Sequence, residues 1–103
     1  MSGSHSLEAT GHATVVLDIG DGVGALVLRT PSSMAGLELD ITRHGNDVPF
    51  VHSAVRERRL PTGSIFAAVY PELPEGEYTV LDLDGDPYRE VRIASGRVTE
   101  IDW

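Results

Sequence analysis

The sequence predicts an all-β protein, a single antiparallel β-sandwich of about seven to eight short strands. Three observations carry that expectation. The phrase Leu-Pro-x-Gly occurs twice, as Leu60-Pro61-Thr62-Gly63 and Leu73-Pro74-Glu75-Gly76, each time just ahead of an apolar run that holds an aromatic, Phe66 or Tyr78. Proline fixes one backbone dihedral and glycine tolerates a positive one, so each phrase is a corner that launches a strand. Turn signals also recur at roughly ten-residue spacing between short apolar or alternating segments, as they do in sandwiches and small barrels. Finally, no segment shows a competing helical period.

Taken in order, His12 to Ile19 forms the first strand, with Val15, Val16 and Leu17 as its apolar body. Gly20-Asp21-Gly22 is a turn of the kind favoured in hairpins, and Val23 to Arg29 is the expected return strand. Pro31 to Gly36 breaks the pattern and has room for one short turn. Leu37 to Arg43 alternates apolar and polar residues, as a half-buried strand does. After the His44-Gly45-Asn46-Asp47 turn, Phe50 to Arg58 alternates with Val51, Ser53, Val55 and Glu57 on one face. Phe50, His52, Ala54, Arg56 and Arg58 occupy the other, and a bulge would settle which of them meets the core. Ser64 to Tyr70 is nearly all apolar, which predicts a central strand covered on both sides. Glu77 to Leu83 is the next strand, and Asp84 to Pro87 the next turn. Tyr88 to Ile93 and Arg97 to Trp103, joined at Ser95-Gly96, read as a terminal hairpin.

Composition bounds the function. With 103 residues the chain is one domain, able to bury roughly two thirds of the surface its unfolded form exposes. Residues 1–10 read as a disordered tail and 11–103 as the sandwich. There is no cysteine, which excludes disulfides, thiolate zinc and a cysteine nucleophile. All eight basic residues are arginine, so lysine Schiff-base chemistry is excluded too. A net charge of −8 opposes nucleic acid and anionic membrane as partners and keeps the domain soluble. No apolar stretch reaches the roughly 18 residues of a membrane span, and the first residues carry no secretory pattern, so a cytoplasmic location is expected.

The run Thr62-Gly63-Ser64-Ile65-Phe66, then Leu73-Pro74-Glu75-Gly76-Glu77-Tyr78-Thr79-Val80, resembles the carboxypeptidase regulatory-like domains of the transthyretin-like sandwich group. Glu90-Val91-Arg92-Ile93, Gly96 and Val98 to Trp103 match that group's closing strands. The likeness covers residues 60–103 well and 36–59 loosely. It implies a Greek-key sandwich and says little about chemistry, since such sandwiches serve as spacers, adaptors and binding modules. The group includes the hydroxyisourate hydrolases. Val16-Leu17-Asp18 faintly resembles their first strand, with His12 just upstream. However, those enzymes end in a Tyr-Arg-Gly-Ser phrase and this chain ends Glu100-Ile101-Asp102-Trp103.

Four features invite a chemical reading. Arg56, Arg58 and Arg59 are the one basic concentration in an acidic chain. Alternate arginines on a strand face clamp a carboxylate or phosphate, and the same charges also guard an edge strand from stray pairing. Arg56 and Arg58, with His52 beside them on the same face, form the candidate binding surface. His12, His44 and His52 form a candidate metal set through neutral imidazole, with an acid such as Asp18 or Asp40, if folding brings them together. Asp82-Leu83-Asp84-Gly85-Asp86 has carboxylates at alternate positions suited to calcium, but Pro87 and Ile93 stand where an EF-hand requires glycine and glutamate. Gly20-x-Gly22-x-Gly24 lacks the following helix of a phosphate loop and fits a bulged hairpin instead. No serine–histidine–acid spacing supports catalysis. The sequence therefore favours a non-catalytic binding or accessory module without a cofactor, its partner another protein or a second copy of itself. A small metal-binding protein is the alternative.

Overall fold

The computed structural model describes residues 21–43 and 51–103. Within them the alternating and apolar segments become eight strands: β1 (Val23–Thr30), β2 (Glu38–Arg43), β3 (Val51–Ala54), β4 (Arg56–Leu60), β5 (Gly63–Pro74), β6 (Gly76–Leu81), β7 (Pro87–Ile93) and β8 (Val98–Asp102). They form two four-stranded sheets, ordered β4-β5-β1-β8 and β3-β2-β6-β7. The break at Pro31 holds a single 3-10 turn, Ser32–Met34, which delivers Met34 to the core. Leu26, Leu28, Ala68, Tyr70 and Leu73 from the first sheet meet Leu39, Ile41, Tyr78, Val80, Val91 and Ile93 from the second. The expected sandwich is thus present.

The two Leu-Pro-x-Gly corners do different jobs. Pro61-Thr62 turns β4 directly into its neighbour β5 within one sheet. Glu75 carries the chain from β5 in the first sheet to β6 in the second. Both glycines take the same backbone, φ of 147° at Gly63 and 150° at Gly76, a region that side chains disfavour. The second corner is locked from inside. The fully buried Tyr78 donates its hydroxyl to the Pro74 carbonyl at 2.6 Å, a tyrosine-corner arrangement that ties the strand to the turn before it. Arg43 donates to the same hydroxyl at 3.1 Å and lies over the ring. Burial pushes the Tyr78 hydroxyl's pKa up, and the Arg43 charge pulls part of that back.

Three sequence expectations are corrected by the topology. First, Phe50 to Arg58 is not one bulged strand. Its described part switches sheets at Val55, whose side chain is buried and whose N–H and C=O pair with Leu37 and Gly36. Second, β7 and β8 are not a hairpin. β7 pairs antiparallel with β6, while the Ala94–Arg97 link carries the chain across the sandwich and β8 pairs parallel with β1, Ala25 opposite Val98 and Arg29 opposite Asp102. Third, β1 takes its two neighbours from later in the chain. β5 holds one of its edges from Val23 to Thr30 and β8 holds the other. The segment 12–19 itself lies outside the described residues, as do residues 1–10.

The two sheets are also stitched by a buried hydroxyl. Tyr70 of β5 donates to the Leu39 carbonyl of β2 at 2.6 Å, and burial raises its pKa, with the Asp40 charge adding to the shift. The ordinary value is 10.0, so at neutral pH the hydroxyl is protonated folded or unfolded. Above it, the unfolded chain loses the proton first and is stabilised relative to the fold. Stability therefore falls as pH rises past about 10, by about 1.4 kcal/mol per unit for this one group. Tyr70→Phe is expected to cost about 1–2 kcal/mol at neutral pH and to make that alkaline decline shallower. Urea midpoints measured between pH 7 and 11 check both.

Candidate functional site

The two layers differ in what they show outward. In the second sheet the pattern is the ordinary one, apolar inward and polar outward. Glu38, Asp40, Glu77, Glu90, Arg92 and His52 line its outer face, with the Arg92–Glu77 ion pair at 3.1 Å across β6 and β7. Thr79 there donates to Glu90 at 3.0 Å.

The first sheet departs from this. Leu26 lies opposite Tyr70 and Leu28 opposite Ala68, all four inward and in the core. Their neighbours Ala25, Val27 and Ala67 must point the other way, and none of them belongs to the core cluster. Yet Ala25 and Ala67 are 0% exposed and Val27 3%. Val69, Ile65 and Val98 extend this outward apolar strip, each half-buried. Its margins are charged. On the β8 side Glu100, opposite Val27, keeps only 14% of its side chain exposed and pairs with Arg29 at 3.5 Å; Asp102 pairs with Arg29 at 3.0 Å. On the β4 side Arg56 lies opposite Ala67 and Arg58 opposite Ile65.

Arg56 and Arg58 therefore share the outer face of the first sheet at its β4 edge, in the alternate register read from the sequence. Arg58 Nε is buried and has no hydrogen-bond partner. Burial, and after it the Arg56 charge, lower that guanidinium's pKa. A buried N–H donor without an acceptor costs about 1–3 kcal/mol. Glu57, between them, accepts from the Ser64 hydroxyl at 2.8 Å and turns toward β5. The arginines also serve the edge role, since β4 is the outermost strand and its charges discourage another strand from adding there.

His52 does not join them. It sits on β3 in the second sheet, on that sheet's outer face opposite Asp40, with its Nε2 3.8 Å from a Glu38 carboxylate oxygen. The sheet switch at Val55 sends His52 and Arg56 to opposite layers, which corrects the expectation of a shared face. His12 and His44 lie outside the described residues. Among the described residues no group of three or more His, Asp or Glu side chains is gathered as a metal site would need. The Asp82–Asp86 loop spends its key carboxylate internally: Asp82 Oδ1 accepts from the Asp84 and Asp86 amides, both at 2.9 Å, the ordinary self-capping of an acidic turn.

Two further contacts lie at the seam between β7 and β8. The Trp103 ring stacks 4.5 Å from Tyr88, its backbone amide donates to the Arg29 carbonyl at 2.7 Å, and the side chain packs on the core. Arg89 reaches from β7 to the Asp102 carbonyl at 2.7 Å, tying the sheets together. Gly24 was grouped with a glycine-rich turn, but its role is close approach. A Cβ there would stand 2.4 Å from the Ala94 carbonyl oxygen, where the chain crosses between sheets. A glycine inside an otherwise apolar strand was the signal available. Among the described residues no helix is long and apolar enough to cross a membrane. No family model matches this chain, and neither a curated protein nor a solved structure matches it.

Proposed function

We propose that this chain is a non-catalytic β-sandwich module that binds an acidic segment of another protein along the β4 margin of its first sheet. One observation carries the reading: two arginines at alternate positions of an edge strand face outward together, one of them with a buried Nε–H that no acceptor meets. Planar guanidinium groups in that arrangement match carboxylates, and charge-assisted bonds are the stronger kind. The likeness to the transthyretin-like group supports the same reading. Gly63 leads β5 and the Leu73–Tyr78 phrase forms the corner into β6. The absence of cysteine suits a cytosolic protein.

The test is photo-crosslinking from position 59 on β4 in cells, with position 40 on the second sheet as control, followed by rebinding of the purified partner. Binding is expected to weaken at least about ten-fold in Arg58→Gln, to fall with added salt, and to be unchanged in Arg92→Gln. A partner that binds Arg58→Gln as tightly as the parent overturns the reading. If the partner is a second copy of the chain, sedimentation shows a dimer that Arg58→Gln dissociates.

A further inference from the structure

We infer that the acidic partner binds as an added β-strand, antiparallel to β4, carrying an apolar residue and two acids at alternate positions. This mode rests on the acidic recognition by β4 proposed above, and it can fail while that recognition stands.

The backbone of β4 decides which groups are open. Pro61-Thr62 is a two-residue turn and Pro61 has no N–H, so Leu60 and Gly63 close it as a mutually bonded pair. Bonded and non-bonded pairs alternate along an antiparallel ladder, and this one runs from Leu60 to Arg56 without a shift of register. Arg58 and Arg56 therefore bond to β5, opposite Ile65 and Ala67. The amides and carbonyls of Glu57 and Arg59 point the other way, off the edge of the sheet. Among the described residues nothing pairs with that edge, since β4 is outermost and β5 is its neighbour on the inside. Such a row of unmet groups is a template for another extended chain, and antiparallel pairing is the more stable per residue.

Charge selects which chain. Arg29, Arg43, Arg89 and Arg92 each meet an oxygen of this protein. Arg56 and Arg58 meet none among the described residues, and Glu57 between them bonds to Ser64 instead. Two like charges at alternate positions repel a neutral or basic strand, which guards the edge, and hold an acidic one. In the added strand, the residue opposite Arg58 occupies a non-bonded position, where facing side chains come closest. An acid there reaches Arg58, and the acid two residues later reaches Arg56. Two residues earlier, the added chain faces Leu60, which is half-buried and whose β5 partner Gly63 has no side chain to cover it. An apolar residue completes the face.

The probe is a seven-residue peptide with valine, glutamate and glutamate at its second, fourth and sixth positions and threonine elsewhere. It is titrated into the isotope-labelled full chain and followed by amide NMR. With the fourth residue facing Arg58, the third and fifth amides donate to the carbonyls of Arg59 and Glu57. Saturable shifts at Glu57 and Arg59 are expected. N-methylation of the third or fifth residue is expected to weaken binding at least about ten-fold, and methylation of the fourth to leave it within about two-fold. The peptide in reversed order is expected to bind at least about five-fold more weakly, because it cannot place valine on Leu60 and both acids on the arginines. Binding that tolerates methylation at the third and fifth residues overturns the strand mode and leaves carboxylate recognition standing. Equal binding of the reversed peptide overturns the antiparallel direction and with it the inference. A probe that leaves these amides unshifted also overturns it, and the crosslinked partner's dependence on Arg58 then decides acidic recognition on its own. Glu57 and Arg59 amides that resist exchange in the protein alone, and open on dilution, overturn it in favour of a second copy.

Discussion

Replacing Gly24 with alanine is expected to lower the thermal midpoint by more than about 12 °C. Gly24 has no positive φ, so the reason is space. The added Cβ would stand 2.4 Å from the Ala94 carbonyl oxygen, 2.7 Å from Ile93 Cγ2 and 3.0 Å from the Arg97 carbonyl oxygen. Two of those three atoms are backbone and cannot rotate aside. They belong to the link that carries β7 into β8, and that link is fastened to β1 by the Gly96 amide on the Val23 carbonyl at 2.8 Å and the Ala25 amide on the Arg97 carbonyl at 2.9 Å. Relief means pulling the crossing away from β1 and giving up those bonds. Overpacking alone costs about 1–3 kcal/mol, and each lost bond adds about 1 more. Calorimetry of Gly24→Ala beside Gly22→Ala separates the causes. Gly22 has nothing within 4 Å of a Cβ but a φ of 75°, so its alanine tests backbone strain without crowding. A Gly24→Ala protein within about 3 °C of the parent would show that the crossing yields easily.

Val27→Asp is expected to destabilise by about 3–5 kcal/mol, although Val27 lies outside the core cluster. On an ordinary outer sheet face a carboxylate would be harmless. Here the position is 3% exposed, and its neighbour on β8 is the nearly buried Glu100, whose charge already depends on Arg29. A second carboxylate would be desolvated and would repel the first, with Arg29 already engaged by two acids. Val27→Thr keeps the shape and adds only a hydroxyl, so a smaller loss of about 1–2 kcal/mol is expected. Urea unfolding of the pair gives the difference. If Val27→Asp costs no more than Val27→Thr, the outer strip is wet and its apparent burial carries no energy.

Much of the fold was legible because its signals are local. Leu60 to Gly63 and Leu73 to Gly76 announce corners through proline and glycine chemistry that depends only on adjacent residues. The alternation of Leu37 to Arg43 and the unbroken apolar run around Ala67 and Ala68 likewise foretold half-buried and doubly buried strands. Pairing was not legible, for a physical reason. Ser95-Gly96 turns the chain equally well inside one sheet or between two, and the choice is made by β1, more than sixty residues earlier, which offers β8 an edge. Val55 shows the same limit. Nothing in the period of residues 51–58 marks a change of layer, since inward and outward positions keep alternating through it. That is why His52 and Arg56 share a parity and not a surface. The paired arginines were legible as a candidate because Arg56 and Arg58 belong to one strand, where period two suffices. The unmet Nε of Arg58 was not, because it depends on what β5 packs around it.

The parallel partnership of β1 with β8 has a consequence for how the protein is made. Arg29 and Asp102 stand 73 positions apart in the chain, so β1 leaves the ribosome long before its second neighbour exists. Until then an apolar strand at the heart of a layer has a bare side, ready to be captured by any extended polypeptide nearby. Closing so wide a loop also slows assembly, because the entropy is lost before the contacts that reward it form. Production of this protein should therefore respond strongly to translation speed and to holdase chaperones, much more than its modest size would suggest.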